Sequence, residues 1–236
     1  MQEDDGSIGI SYRITFDGGA EQLFTVRLNP DTLDILTQPS GPPPEWSALG
    51  FHRCPNCTLD SSKVPNCPCA VNMVELMDFL KDMLSHEEAE VKVETLNRDF
   101  TRRVSMQQVA SSLMGIIMVT SGCPVLDKLR PMVETHLPFA SWEETAYRYV
   151  SMYLFAQYFR RKNGIEPDWD LKGLSELFDD IETVNHAFYR RLDHVRTKDA
   201  SVNAVTILSS MGAMTKMVID DGGLSHWEDI FMEYYG

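Results

Sequence analysis

Positive charge is scarce in this chain. Its 236 residues carry 21 Lys and Arg against 35 Asp and Glu, a formal charge of −14. A surface of that sign repels phosphate backbones and anionic headgroups, so neither nucleic acid nor a membrane is an expected partner. The basic runs are short (Arg102-Arg103, Arg160-Arg161-Lys162, Arg190-Arg191) and read as solvated helix ends. Long hydrophobic runs are missing as well: the most apolar, residues 113–120, is too short to cross a bilayer. The opening MQEDDGS is acidic where an export signal is basic and then apolar, so a cytoplasmic protein is expected. The chain has no glycine-rich phosphate loop, no Gly-x-Ser-x-Gly and no His-Glu-x-x-His. That removes the P-loop and Rossmann nucleotide sites, the hydrolase elbow and the zincin helix. A non-enzymatic role is the leading expectation.

Cysteine is rare, with five in all, yet four of them share one sixteen-residue window: Cys54, Cys57, Cys67 and Cys69. In a reducing compartment such clusters are metal ligands or redox thiols more often than structural disulfides. Cys54-Pro55-Asn56-Cys57 has the spacing of a metal knuckle, and its proline stiffens the turn. Cys67-Pro68-Cys69 is tighter; both sulfurs reach one point only if the chain turns there. His52 is an alternative fourth ligand. Zinc is the expected ion, and the alternative is an iron–sulfur cluster on Cys54, Cys57, Cys67 and either Cys69 or the remote Cys123. A second chemistry competes, in which Cys54 and Cys57, or Cys69, form a thiol redox enzyme or sensor. Cys69 would gain from the positive end of a helix starting at Ala70, and Cys123 more weakly from one starting at Pro124. Incidental buried thiols are the plain alternative. The favoured function is a metal-stapled binding or regulatory protein with a protein partner, or a second copy of itself, as its target.

The window lies in a proline-rich stretch, 38–70, with little regular structure of its own, and the cysteines are its candidate tie. Around it, alternation marks strands at 8–16 and 22–28 joined by Asp17-Gly18-Gly19, and at 90–95 and 100–104, with 32–37 as a further candidate. A helix is predicted over 70–84. Beyond residue 104 the pattern is helical: Ser105 with Gln108 and Ser141 with Glu144 form capping boxes, as does Ser225 with Glu228. Pro131 should kink the helix opened by Cys123-Pro124. The helix from Ser141 to Arg161 is apolar nearly all round, which predicts the centre of a bundle. The class is therefore α+β: a small N-terminal antiparallel sheet with its Cys-rich loop over 1–104, joined to a helical bundle over 105–236, with one continuous domain as the alternative.

Several other residues invite a chemical role. Asp179, Glu182, His186 and Asp193 share one helix face; they could ligate a metal, but a solvated polar face fits the amphipathic pattern better. Asn185 falls in that helix's apolar stripe and calls for a partner on a neighbour. His136 at a helix junction is expected to close it by a backbone hydrogen bond rather than to act as a base. Met211, Met214 and Met217 recur at core spacing. Trp227, Phe231, Tyr234 and Tyr235 suggest a docking surface.

The segments PPPEWSALGFHRCPNC, MVTSGCPVLDKLRPMVETHLPFAS and YLFAQYFRRKNGIEPDWDLKGL resemble an uncharacterised bacterial domain-of-unknown-function family over roughly residues 8–195. The resemblance implies a bacterial, cytosolic, stand-alone protein and brings no catalytic residues with it.

Overall fold

A computed structural model describes residues 6–36 and 41–235. Four antiparallel strands, β1 (Ile8–Thr15), β2 (Glu21–Leu28), β3 (Glu88–Glu94) and β4 (Asp99–Ser105), form one sheet in the order β2-β1-β3-β4. The alternation in sequence becomes a two-faced sheet. Ile10, Tyr12, Ile14, Phe24, Val26, Leu28, Val91 and Val93 face the core. Register follows from this, with Tyr12 opposite Phe24 on one side and Val93 on the other. The outer face carries charge: Arg103 of β4 grips Asp17 of the first hairpin at 2.8 and 2.9 Å and Glu88 at 3.0 Å. Of the candidate strand 32–37, the described part makes only a bridge between Leu28 and Ile35; its last residue, like 38–40, lies outside the described residues.

Helices α1 (Pro68–Asn72) and α2 (Val74–Leu80) replace the single helix predicted over 70–84, because the chain breaks step at Met73. Helix α3 (Met106–Thr120) starts at the Ser105–Gln108 capping box. The 3-10 segment Leu126–Thr135 follows and contains Pro131. Then come α4 (Trp142–Lys162), α5 (Lys172–Asp193), α6 (Ala200–Asp220) and the short α7 (Ser225–Glu228). Ser225 is the first residue of α7, and Leu224 caps it without a side-chain hydrogen bond, so the box expected there does not form. The C-terminal aromatics expected to dock are partly free: Phe231, Tyr234 and Tyr235 are exposed, while Trp227 meets Tyr147 of α4. One hydrophobic cluster runs from the sheet through α1, α2 and α3 to α5 and α6.

The centre of the bundle is α3, not α4. Ten of α3's fifteen residues are buried, whereas α4 buries only Ala146 and Gln157. Helix α3 touches β2, β3, β4, α1, the 3-10 segment and α6, while α4 meets only the 3-10 segment and α6 among its main neighbours. An apolar circumference lets a helix be central but does not supply elements to surround it. The uncovered side of α4 therefore leaves Phe155, Tyr158 and Phe159 at the surface, packed on one another. Met214 and Met217 of α6, expected in the core, are likewise exposed. By length and composition α6 could cross a membrane, with a mean hydropathy of 1.3; here it packs along α5 and α3.

These placements predict unequal costs. Leu113→Ala on α3 should lower unfolding free energy by about 2–5 kcal/mol, through lost burial and a residual cavity. Phe155→Ala on α4 should cost about 1 kcal/mol or less. Urea denaturation of the two variants checks this, and equal costs would contradict the central position of α3.

Candidate functional site: a pocket of five thiols

The segment after β2 is held by ordinary hydrogen bonds before any sulfur is considered. A 3-10 turn at Glu45–Ser47 leads to a bridge between Ala48 and Asn66. Leu49 N–H donates to Pro65 O at 2.8 Å, and Cys67 N–H to Ser47 O at 2.8 Å. The Cys-Pro-Asn-Cys turn closes by Cys57 N–H to Cys54 O at 3.0 Å, and Arg53 donates to the carbonyls of Cys57 and Leu59. Asn56 reaches across to Asp180 O of α5 at 3.0 Å. Cysteine is thus not the only tie of this loop.

The loop's inner side meets α5 at Arg191. Arg191 is 2 % exposed and donates to Trp46 O and, at 2.9 Å, to Ala48 O. Its guanidinium lies 5.8 Å from the ring centroid of Phe51. Among the described residues no carboxylate pairs with it. The sequence reading of Arg190-Arg191 as a solvated helix end holds for exposed Arg190 and fails for Arg191. On α5 the residue falls on the inward stripe with Leu192 and Phe188, so its charge is carried into the protein.

Beside Arg191 is a small cavity of about 30 Å³ lined by Cys54, Cys57, Cys67, Cys69 and Cys123. Three separate segments bring them together: the Cys54–Cys57 turn, the start of α1, and the turn after α3. The chain does turn at Cys67, because Pro68 occupies the first position of α1 and Cys67 caps it. The effect expected for Cys69 therefore falls on Cys67. A hydrogen bond from the Cys69 thiol lowers the Cys67 pKa to about 6, against the cost of burial; the Ala70 N–H and the charge of Arg191 also help. Cys123 is lowered to about 7, first by Cys69 and then by the N–H groups of Leu126 and Val125. Cys69 itself, 2 % exposed, is raised well above the ordinary thiol value because it is the donor to Cys123 and Cys67 and is buried. Burial and the neighbouring thiols raise Cys54 to about 11.

Cys69 has one proton to give, and Met118 O at 3.4 Å also accepts it. Donation to one acceptor leaves the others unserved, so Cys67, Cys123 and Met118 O compete for the same proton. Arg191 supplies one positive charge, so the pocket balances one thiolate. Of the lowered thiols, Cys67 has the lower pKa and also feels the attraction of Arg191.

His52 is placed elsewhere. It is exposed, with φ +45°, and its ring packs against Phe51 and His194 at 4.8 and 6.5 Å, away from the residues lining the thiol cavity. Glu182, His186 and Asp193 are exposed, and Asp179 faces Lys216 at 3.5 Å, so that face is solvated. Among the described residues His136 does not close its junction through a side-chain bond to backbone. Its Nε2 lies 2.6 Å from the hydroxyl of Tyr12 in the sheet, which is also 2.6 Å from Ser112 Oγ. Among the described residues, no three or more His, Cys, Asp or Glu side chains are grouped to hold a metal ion.

The four-stranded antiparallel sheet followed by helices makes this an α+β protein. The chain belongs to the family described as Domain of unknown function (DUF6901), which it matches over residues 10–232. No curated protein and no solved structure matches it.

Two outcomes follow from this geometry. Arg191→Met should raise the Cys67 pKa, moving the midpoint of its alkylation by iodoacetamide upward from about 6. It should also cost about 2–4 kcal/mol, since two carbonyls lose their donor; an unmoved midpoint would contradict the pairing. Burial, and then the charge of Arg148, depresses His136 to about 3, so the folded state holds it neutral. Its contribution to stability is complete above the unfolded value near 6.5 and is lost as pH falls toward 3. An NMR titration should find His136 neutral at pH 5; an inflection near 6.5 would be the contrary result.

Proposed function

We propose that the chain is a non-enzymatic, redox-responsive binding or regulatory protein whose sensing centre is the five-thiol pocket, with Cys67 as its reacting group. The observation that carries this is that thiols from three segments line one cavity with a buried arginine that has no carboxylate partner among the described residues. Such a cation needs a counter-charge, and a thiolate is the anion at hand. A partly exposed thiol of lowered pKa is also the kind that oxidants reach.

The chemistry balances with a peroxide as oxidant. The Cys67 thiolate attacks one peroxide oxygen; an S–O bond forms, the O–O bond breaks, and hydroxide leaves and takes a proton to become water. A second pocket thiol attacks the sulfenic sulfur; the S–S bond forms, the S–O bond breaks, and the thiol's proton goes out with the second water. Two thiols lose two electrons and the peroxide gains them. The thiolate charge disappears, and Arg191 is left buried without its counter-ion. Since Arg191 also holds the carbonyls of Trp46 and Ala48, oxidation reaches the backbone of the loop. Exposed Phe155, Tyr158 and Phe159 support a protein partner, or a second copy, as recipient of the change.

Zinc or an iron–sulfur cluster on Cys54, Cys57, Cys67 and Cys69 draws support from donor chemistry, since thiolates suit both. The side chains as they stand are not grouped as a ligand set, and no step here passes through a metal.

Treating the reduced protein with one equivalent of hydrogen peroxide and mapping its peptides tests the proposal, with metal content measured on the same sample. One disulfide containing Cys67, absent in Cys67→Ser, is the expected result. Five free thiols after peroxide, or stoichiometric zinc or iron in the purified protein, would overturn it.

A further inference from the structure

On the far side of α3 from the sheet is a second, larger cavity of about 200 Å³. Helix α3 forms its floor, the 3-10 segment and α4 one wall, and α5 and α6 the other. The lining is mostly apolar, including Ile116, Leu129, Leu137, Ile181, Leu208 and Met211. An apolar cavity of about 150 Å³ accepts benzene. This one has room for a compact apolar body of about eight non-hydrogen atoms on the same scale.

Its polar members are only partly paired among the described residues. Asn185 of α5 is 3 % exposed and lines the cavity, yet among the described residues its amide makes no hydrogen bond. Ser111 of α3, 7 % exposed and also in the lining, is in the same position. Arg148 of α4 donates through Nη2 to the carbonyls of Met132 and Thr135 at 2.8 and 2.9 Å. Its Nε is buried without an acceptor. No carboxylate among the described residues lies within salt-bridge distance of Arg148. Its near neighbour Glu144 is engaged at Ser141 N–H at 2.8 Å. Among the described residues Arg148 is the one full charge in the lining, since His136 is held neutral beside Tyr12. Natural interiors leave few polar groups unpaired, and each asks for a cause.

From these observations we infer that the cavity bounded by α3, α4, α5 and α6 binds a small apolar monocarboxylate, with its carboxylate on Arg148 and Asn185 and its body among the aliphatic side chains. A carboxylate accepts from both donors at once and supplies the anion that Arg148 lacks, while an apolar body displaces poorly bound water. A neutral molecule of the same shape would leave the guanidinium unpaired. The site is independent of the thiol pocket and stands whether or not Cys67 reacts.

The test uses the full chain, titrated calorimetrically with phenylacetate and with 2-phenylethanol. Phenylacetate should bind at least about tenfold more tightly, a difference of about 1.4 kcal/mol, and should raise the melting temperature. In Arg148→Met the preference for the acid should vanish. Should that variant not fold, Gly115→Leu provides the check: a Cβ at Gly115 meets only Leu208 Cδ2, at 3.7 Å, so the larger side chain can fill the cavity from α3. Binding should then be lost while cooperative unfolding is retained. Absence of binding to the wild type, equal affinity for acid and alcohol, or undiminished phenylacetate binding by Gly115→Leu would each overturn the inference.

Discussion

A buried guanidinium with no carboxylate partner among the described residues is the constraint on which the thiol site depends. Removing an arginine from water costs several kcal/mol unless its donors and its charge are both met. Arg191 meets the first need with the carbonyls of Trp46 and Ala48 and the face of Phe51. On the proposed reading the second falls to the Cys67 thiolate. This explains why a loop rich in proline takes a defined path over α5. Its 3-10 turn presents carbonyls to Arg191, and its cysteines stand where a negative charge is stabilised.

The same logic links the two candidate sites without making them one. Both are arginines carried inward by a helix, Arg191 on α5 and Arg148 on α4, and neither has a carboxylate partner among the described residues. In the thiol pocket the counter-charge is built into the chain. In the cavity beside α3 it is not, and the Arg148 guanidinium and Asn185 amide line it as donors that the inferred carboxylate would meet. The central position of α3 makes this arrangement possible. It faces the sheet on one side, carries Cys123 just beyond its end, and forms the floor of the cavity on the other.

Much of the architecture was legible in the sequence because it is set locally. Asp17-Gly18-Gly19 between alternating runs determines the first hairpin, and the Ser105–Gln108 and Ser141–Glu144 boxes determine where α3 and α4 begin. The cysteine window marked the loop whose thiols line the small cavity beside Arg191. What failed was what depends on neighbours distant in sequence. Arg191 sits beside exposed Arg190, and only the phase of α5 against the loop separates them; Leu192 and Phe188 on the same stripe were the available signal. The shift from Cys69 to Cys67 was readable too, since Pro68 favours the first helical position and so makes Cys67 the cap. Nothing in the pattern of α4 told that its aromatic side would lack a covering element. The pairing of Tyr12 with His136, 124 residues apart, is likewise a product of packing.

The most direct test of the central claim is the ultraviolet thiolate absorbance of the reduced protein, titrated with acid and base. The account predicts that one thiolate is already present at pH 7, is lost with a midpoint near 6, and is missing in Cys67→Ser. If no thiolate signal emerges until the ordinary range of about 8.5, Arg191 is not balanced by sulfur and the account is wrong.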